Sequence, residues 1–75
     1  MIDRKIFSSR LSLLKSKNNV TTVSLASALS IAKQSVHTWE NMKTIPSSDK
    51  LIELADYFDV SLDYLVGRSV NPERR

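Results

Sequence analysis

Apolar residues recur along the chain at helical spacing. Leu51, Leu54, Ala55 and Phe58 form an i, i+3, i+4, i+7 stripe, and Ile6 or Phe7 leads a second one through Leu11 and Leu14. A shorter set, Leu25, Ala26 and Leu29, follows. Between the stripes stand helix starts of one type, an apolar residue before the N-cap answered by another five positions later. Val20-Thr21 with Leu25 and Val60-Ser61 with Leu65 fit fully; Pro46-Ser47 with Leu51 is looser, and Ile31-Ala32 with Val36 lacks a polar cap. With an opening helix, these starts predict five helices, near residues 3–18, 22–29, 33–41, 48–58 and 61–66. Gly67 falls just past the last, where a left-handed residue closes a helix. No alternating strand pattern competes. The expected fold is all-α, with residues 1–68 as one domain and 69–75 as a flexible C-terminal tail.

The second and third helices are separated only by Ser30, Ile31 and Ala32, the spacing of a helix-turn-helix. Val36 and Trp39 would point inward with Ile31, leaving Lys33, Gln34, His37, Thr38 and Asn41 on the opposite face. That face has the chemistry to read base edges. Glutamine pairs with adenine N6 and N7, lysine donates to guanine O6 and N7, and threonine offers a hydroxyl or a methyl. A merely solvated helix face would look the same. Trp39 has two readings as well, a stacking platform for single strands or core; its spacing with Val36 argues for core.

Charge changes this picture by its distribution. The net charge is +3 over 75 residues. Residues 1–20 carry Arg4, Lys5, Arg10, Lys15 and Lys17 against Asp3, whereas residues 47–69 carry Asp49, Glu53, Asp56, Asp59 and Asp63 against Lys50 and Arg68. A polyanion would meet the first two thirds and avoid the last third. Composition removes other chemistries. There is no cysteine, one histidine and one glycine, so a thiolate zinc site and the Gly-rich phosphate loops are excluded, and no metal or cofactor is expected. No apolar run is long enough to span a membrane, and the first residues lack a signal peptide's apolar region, so a cytoplasmic protein is expected. His37 and Glu40 are three apart, but without a nucleophile or metal set they do not make an enzyme.

Residues 20–67 resemble the Xre-type helix-turn-helix regulators, the class of phage repressors and Cro proteins. The resemblance is carried by Leu25-Ala26 with Leu29, by Lys33-Gln34-Ser35-Val36 and Trp39-Glu40-Asn41, and by Ile45-Pro46-Ser47 with Leu51-Ile52-Glu53-Leu54-Ala55. Phe58-Asp59-Val60-Ser61-Leu62-Asp63-Tyr64-Leu65-Val66-Gly67-Arg68 is close to the family's closing signature. The resemblance implies a compact five-helix, lambda-repressor-like domain with its helix-turn-helix at 22–41. It implies base contacts from Lys33, Gln34, Ser35, His37 and Thr38, and phosphate contacts from Thr21, Thr22, Asn41, Lys43 and Thr44. Arg10 and Lys17 are further phosphate candidates, with a solvated role as the alternative. Glu40 would pair with Lys15, at the place where the family has a basic residue late in the first helix.

Some positions depart from the family's pattern. Thr22 replaces a longer glutamine, Ser30 and Met42 replace turn glycines, Ala32 replaces a capping hydroxyl, and Val23 stands where a polar residue is usual. Ser30 and Met42 would then need left-handed backbone, unless Asn41 adopts it in place of Met42. The expected function is sequence-specific binding of double-stranded DNA as a transcriptional regulator. A repressor is expected, a homodimer on an inverted repeat that pairs through Leu62, Tyr64, Leu65 and Val66 of the C-terminal helices. The alternative is a protein-interaction module on the same fold.

Overall fold

The computed structural model describes residues 3–73. It has five helices in chain order, α1 (Arg4–Lys17), α2 (Thr22–Ala28), α3 (Lys33–Glu40), α4 (Ser48–Phe58) and α5 (Leu62–Leu65). The expected all-α fold is the one observed. The bounds of α1, α2, α3 and α5 lie a residue inside the expected ones because Asp3, Asn18, Leu29, Asn41, Ser61 and Val66 are caps. Asp3 accepts from Lys5 N at 2.8 Å, and Thr21 forms a reciprocal capping box with Ser24. Ser47 and Ser61 cap α4 and α5. At α3 the cap is Ala32, and no side chain bonds the first turn.

All five helices close in the same way. A left-handed residue, the one after the C-cap in α1, α2, α3 and α5 and the C-cap Asp59 itself in α4, donates back three residues, and the next donates back five, as in a Schellman motif. At α2, Ser30 N reaches Ser27 O at 3.2 Å and Ile31 N reaches Ala26 O at 3.0 Å. Asn19, Ser30, Met42, Asp59 and Gly67 take the left-handed position, so four of five are not glycine. Asn41 keeps φ −93 as the C-cap of α3, which assigns the strain to Met42. Three of the links then read left-handed residue, apolar residue, cap: Asn19-Val20-Thr21, Ser30-Ile31-Ala32 and Asp59-Val60-Ser61. One apolar side chain thus closes one helix and opens the next.

Phe7, Leu11, Leu25, Val36, Leu54 and Leu65 are fully buried, and Val20, Ile31 and Ile45 pack against this core from its edge. Phe7 rather than Ile6 heads the stripe of α1, and Trp39 is core, 5% exposed. α1 lies against both α3 and α5, while α2 packs on α3 and α4 on α5. Side chains from other elements satisfy carbonyls at the helix ends that have no partner within the helix. Ser8 donates to Glu40 O at 2.8 Å, Lys50 to Leu29 O at 3.0 Å, and Arg10 to Tyr64 O.

One expectation for the C-terminal third changes. Tyr64, Leu65 and Val66 are buried against the core and offer no surface to a second copy; of the four residues assigned to a dimer interface, only Leu62 is exposed. A one-turn helix that packs on its neighbours must turn most of its apolar residues inward. Residues 69–72 return to the start of α5. Ser61 N donates to Pro72 O at 2.9 Å, and Arg10 donates to Ser69 O at 2.9 Å. Residues 74 and 75 of the tail lie outside the described residues.

Candidate nucleic-acid interface

α3 has eight residues, and an isolated helix of that length is not stable in water. It exists because Val36 and Trp39, three apart, bury one face, and Ile31 covers the turn before it. The opposite face is then presented by a fixed backbone. Lys33 and Gln34 are exposed in its first turn, and neither side chain is bonded to another of the described residues. His37, one turn on, has a half-exposed side chain with Nδ1 at 3.6 Å from Glu40 Oε1. These three carry the polar groups available to a ligand.

Ser35 and Thr38 are half-buried. Thr38 Oγ1 donates to Ser35 O at 2.7 Å and accepts from Thr44 Oγ1 at 2.9 Å. Its hydroxyl hydrogen is therefore held inside the domain, leaving a lone pair and the methyl. The same bond fixes Thr44 in the loop after α3. Asn41 and Lys43 are exposed in that loop. The loop backbone is anchored to α1, since Arg4 Nη1 donates to Lys43 O at 2.8 Å.

Thr22 faces inward. Its hydroxyl accepts from Lys15 Nζ at 2.7 Å and donates to the Glu40 carboxylate, at 3.0 and 3.3 Å from its two oxygens. Lys15 and Glu40 also pair directly, as expected, with side chains only 15% and 19% exposed. The cluster joins the end of α1, the start of α2 and the end of α3. In so enclosed a site, a bond with a charged partner is worth about 1.5–3 kcal/mol, more than an exposed pair gives. Thr21 stands beside it at the exposed start of α2, its hydroxyl held by Ser24. Arg10 lies 4.2 Å over the Tyr64 ring and is bonded to Tyr64 O and Ser69 O. It ties α1 to α5, so the phosphate contact considered for it is replaced by a structural one.

Sequence reasoning missed the inward turn of Thr22 and both arginine ties. The length of the Thr22 side chain held the one available signal: glutamine would extend past Glu40, whereas threonine fits between it and Lys15.

Two short helices joined by a four-residue turn, the second buried on one side and polar on the other, define a helix-turn-helix domain. A family model described as Helix-turn-helix matches residues 12–65. The chain belongs to this family, in its Xre-like form. It is 35% identical over 68 residues to the uncharacterized HTH-type transcriptional regulator YobD of Bacillus subtilis (strain 168), with 91% of this chain and 61% of that protein covered. It also superposes on the crystal structure of a transcriptional regulator from Listeria innocua with a TM-score of 0.77 and 36% identity, over 81% of this chain and 57% of that one. The chain thus spans about three fifths of each relative's length.

Proposed function

We propose that this chain is a transcriptional regulator that binds double-stranded DNA sequence-specifically, with α3 in the major groove. The observation that carries the reading is the exposed polar face of Lys33, Gln34 and His37 on a helix immobilised by Trp39, Val36 and the Lys15–Thr22–Glu40 cluster. Base reading requires donors carried on a fixed backbone, and this face supplies them. Gln34 and Lys33 read bases by paired or single donation. His37 contributes a ring nitrogen, and Ser35 and the Thr38 methyl fill the surface between. Phosphates are gripped from both flanks. Thr21 and the backbone N–H groups of α2 beside Thr22 act at one end, and Asn41, Lys43 and Thr44 at the other.

The protein acts as a cytoplasmic repressor, by occupying a site rather than by catalysis. One eight-residue helix covers about half an operator, so a homodimer on an inverted repeat, with half-sites about one helical turn apart, supplies the rest of the affinity. The relatives named as transcriptional regulators support this reading. So does the separation of a basic first two thirds from an acidic last third.

Selection from a random duplex library at about 150 mM salt, where purely electrostatic binding is weak, tests it. The expected result is an enriched inverted repeat whose half-site spacing gives the dimer geometry. Retained DNA with no enriched sequence would reduce the reading to non-specific binding. No retained DNA, from protein shown to be folded, would overturn it in favour of a protein-interaction module.

A further inference from the structure

An open cavity of about 310 Å³ lies between α4 and α5, away from the α3 face. Ile52, Ala55, Val60 and Leu62 line it together with the polar residues Asp56, Ser61 and Asp63. Ile52 and Leu62 are 50% and 40% exposed, although neighbouring apolar residues of the same helices are buried. Neither belongs to the buried core. The volume is at the lower end for a ligand pocket, with room for a few aliphatic side chains rather than a folded surface.

We propose that this groove docks a short basic, amphipathic segment of a partner protein, which inserts apolar side chains between Ile52 and Leu62 and lays lysines or arginines against the acidic rim. Charge selects this occupant. Asp56 and Asp63 both line the groove, and the segment 47–69 that builds it carries five acidic against two basic side chains, so cations are attracted at a distance. Among the described residues the Asp63 carboxylate pairs with Arg68 at 3.9 Å, with both side chains well exposed, a contact too weak to resist replacement by a partner's cation. The same charge disfavours a second copy. A two-fold pairing presents the same patch from both sides and would bring Asp56 and Asp63 of each copy towards those of the other. DNA is repelled by the same rim. A partner can therefore bind here while α3 occupies an operator, which would join the regulator to a second protein on DNA. The inference does not depend on the DNA reading, because the groove shares no residue with it.

The test is an NMR titration of the full chain with two short synthetic peptides, one with leucine and lysine at amphipathic helical spacing, the other with glutamate in place of lysine. The expected result is that the lysine peptide shifts the amides of residues 52, 55 and 62, that the glutamate peptide does not bind, and that Ile52→Ser or Leu62→Ser weakens the lysine peptide about tenfold. Melting curves of both variants confirm that they fold. Absence of binding overturns the proposal. So does equal binding of both peptides, or binding that the serine variants leave unchanged, since the groove would then play no selective part. Sedimentation of the free chain gives the last arm: self-association lost in Ile52→Ser would assign the groove to a second copy instead.

Discussion

Gln34 and Glu40 are six positions apart on one short helix and have opposite tasks. Gln34 is exposed and unbonded, so its loss should leave the fold unchanged. Gln34→Ala is expected to weaken binding to the selected operator by about 1–3 kcal/mol and relax base preference at one position per half-site, with an unaltered melting curve. Competition binding against operators varied at that position measures it; equal weakening on every sequence would make Gln34 a backbone contact. Glu40 takes part through others. Its carboxylate accepts from Lys15 and Thr22, so Glu40→Ala leaves a largely enclosed ammonium without its partner. Stability is expected to fall by about 1–3 kcal/mol in a denaturant titration, and Thr22→Val by less, because the direct Lys15–Glu40 pair survives.

At the scale of elements, the helices were legible in the sequence because their punctuation is local. Val20-Thr21, Ile31-Ala32 and Val60-Ser61 each announce a start within six residues, and Gly67 announces an end. What stayed hidden is contact between distant positions. Arg10 meets residues 54 and 59 positions away, and nothing near it in the chain marks that tie. The burial of Tyr64 and Val66 was hidden for a related reason, since a single turn has no period from which to read its inner face, whereas Leu65 was marked by its staple with Val60. Within the candidate interface, the exposed members Lys33, Gln34 and His37 followed from helical spacing alone. The inward set of Thr22 and the enclosed hydroxyl of Thr38 depend on neighbours in other elements. The helix ends carry their own prediction. Ser30 and Met42 sit at φ 56 and φ 61, where a side chain is strained by about 1–2 kcal/mol and glycine is not. Ser30→Gly and Met42→Gly should each raise stability by about 0.5–1 kcal/mol, after allowance for the freer unfolded chain. Gly67→Ala should do the reverse, losing about 1–3 kcal/mol, because at φ +88 its new Cβ would also stand 2.7 Å from Ile6 Cγ2. Thermal melts of the three variants decide whether the ends or the helix interiors limit this fold.

For the whole molecule, stability and recognition are one equilibrium. A chain of this size holds about 3–5 kcal/mol in total, with no disulfide to add to it. α3 has no stability of its own, and Trp39 is its largest attachment to the core. Trp39→Ala should cost about 3–5 kcal/mol, as much as the domain possesses, and so unfold it. Its loss of DNA binding would then say nothing about contact. Trp39→Phe keeps part of the buried ring and should leave a mixed population of folded and unfolded chains. DNA that binds only the folded form shifts that population, and duplex at about 100 times Kd adds about 2.7 kcal/mol. Trp39→Phe should therefore regain helical circular dichroism and a cooperative melt when its operator duplex is added, and much less with a scrambled duplex. If the operator restores nothing, Trp39 shapes the reading surface directly and is more than its support. If the scrambled duplex restores as much, the coupling between fold and DNA is electrostatic, and the free face of α3 carries no sequence preference.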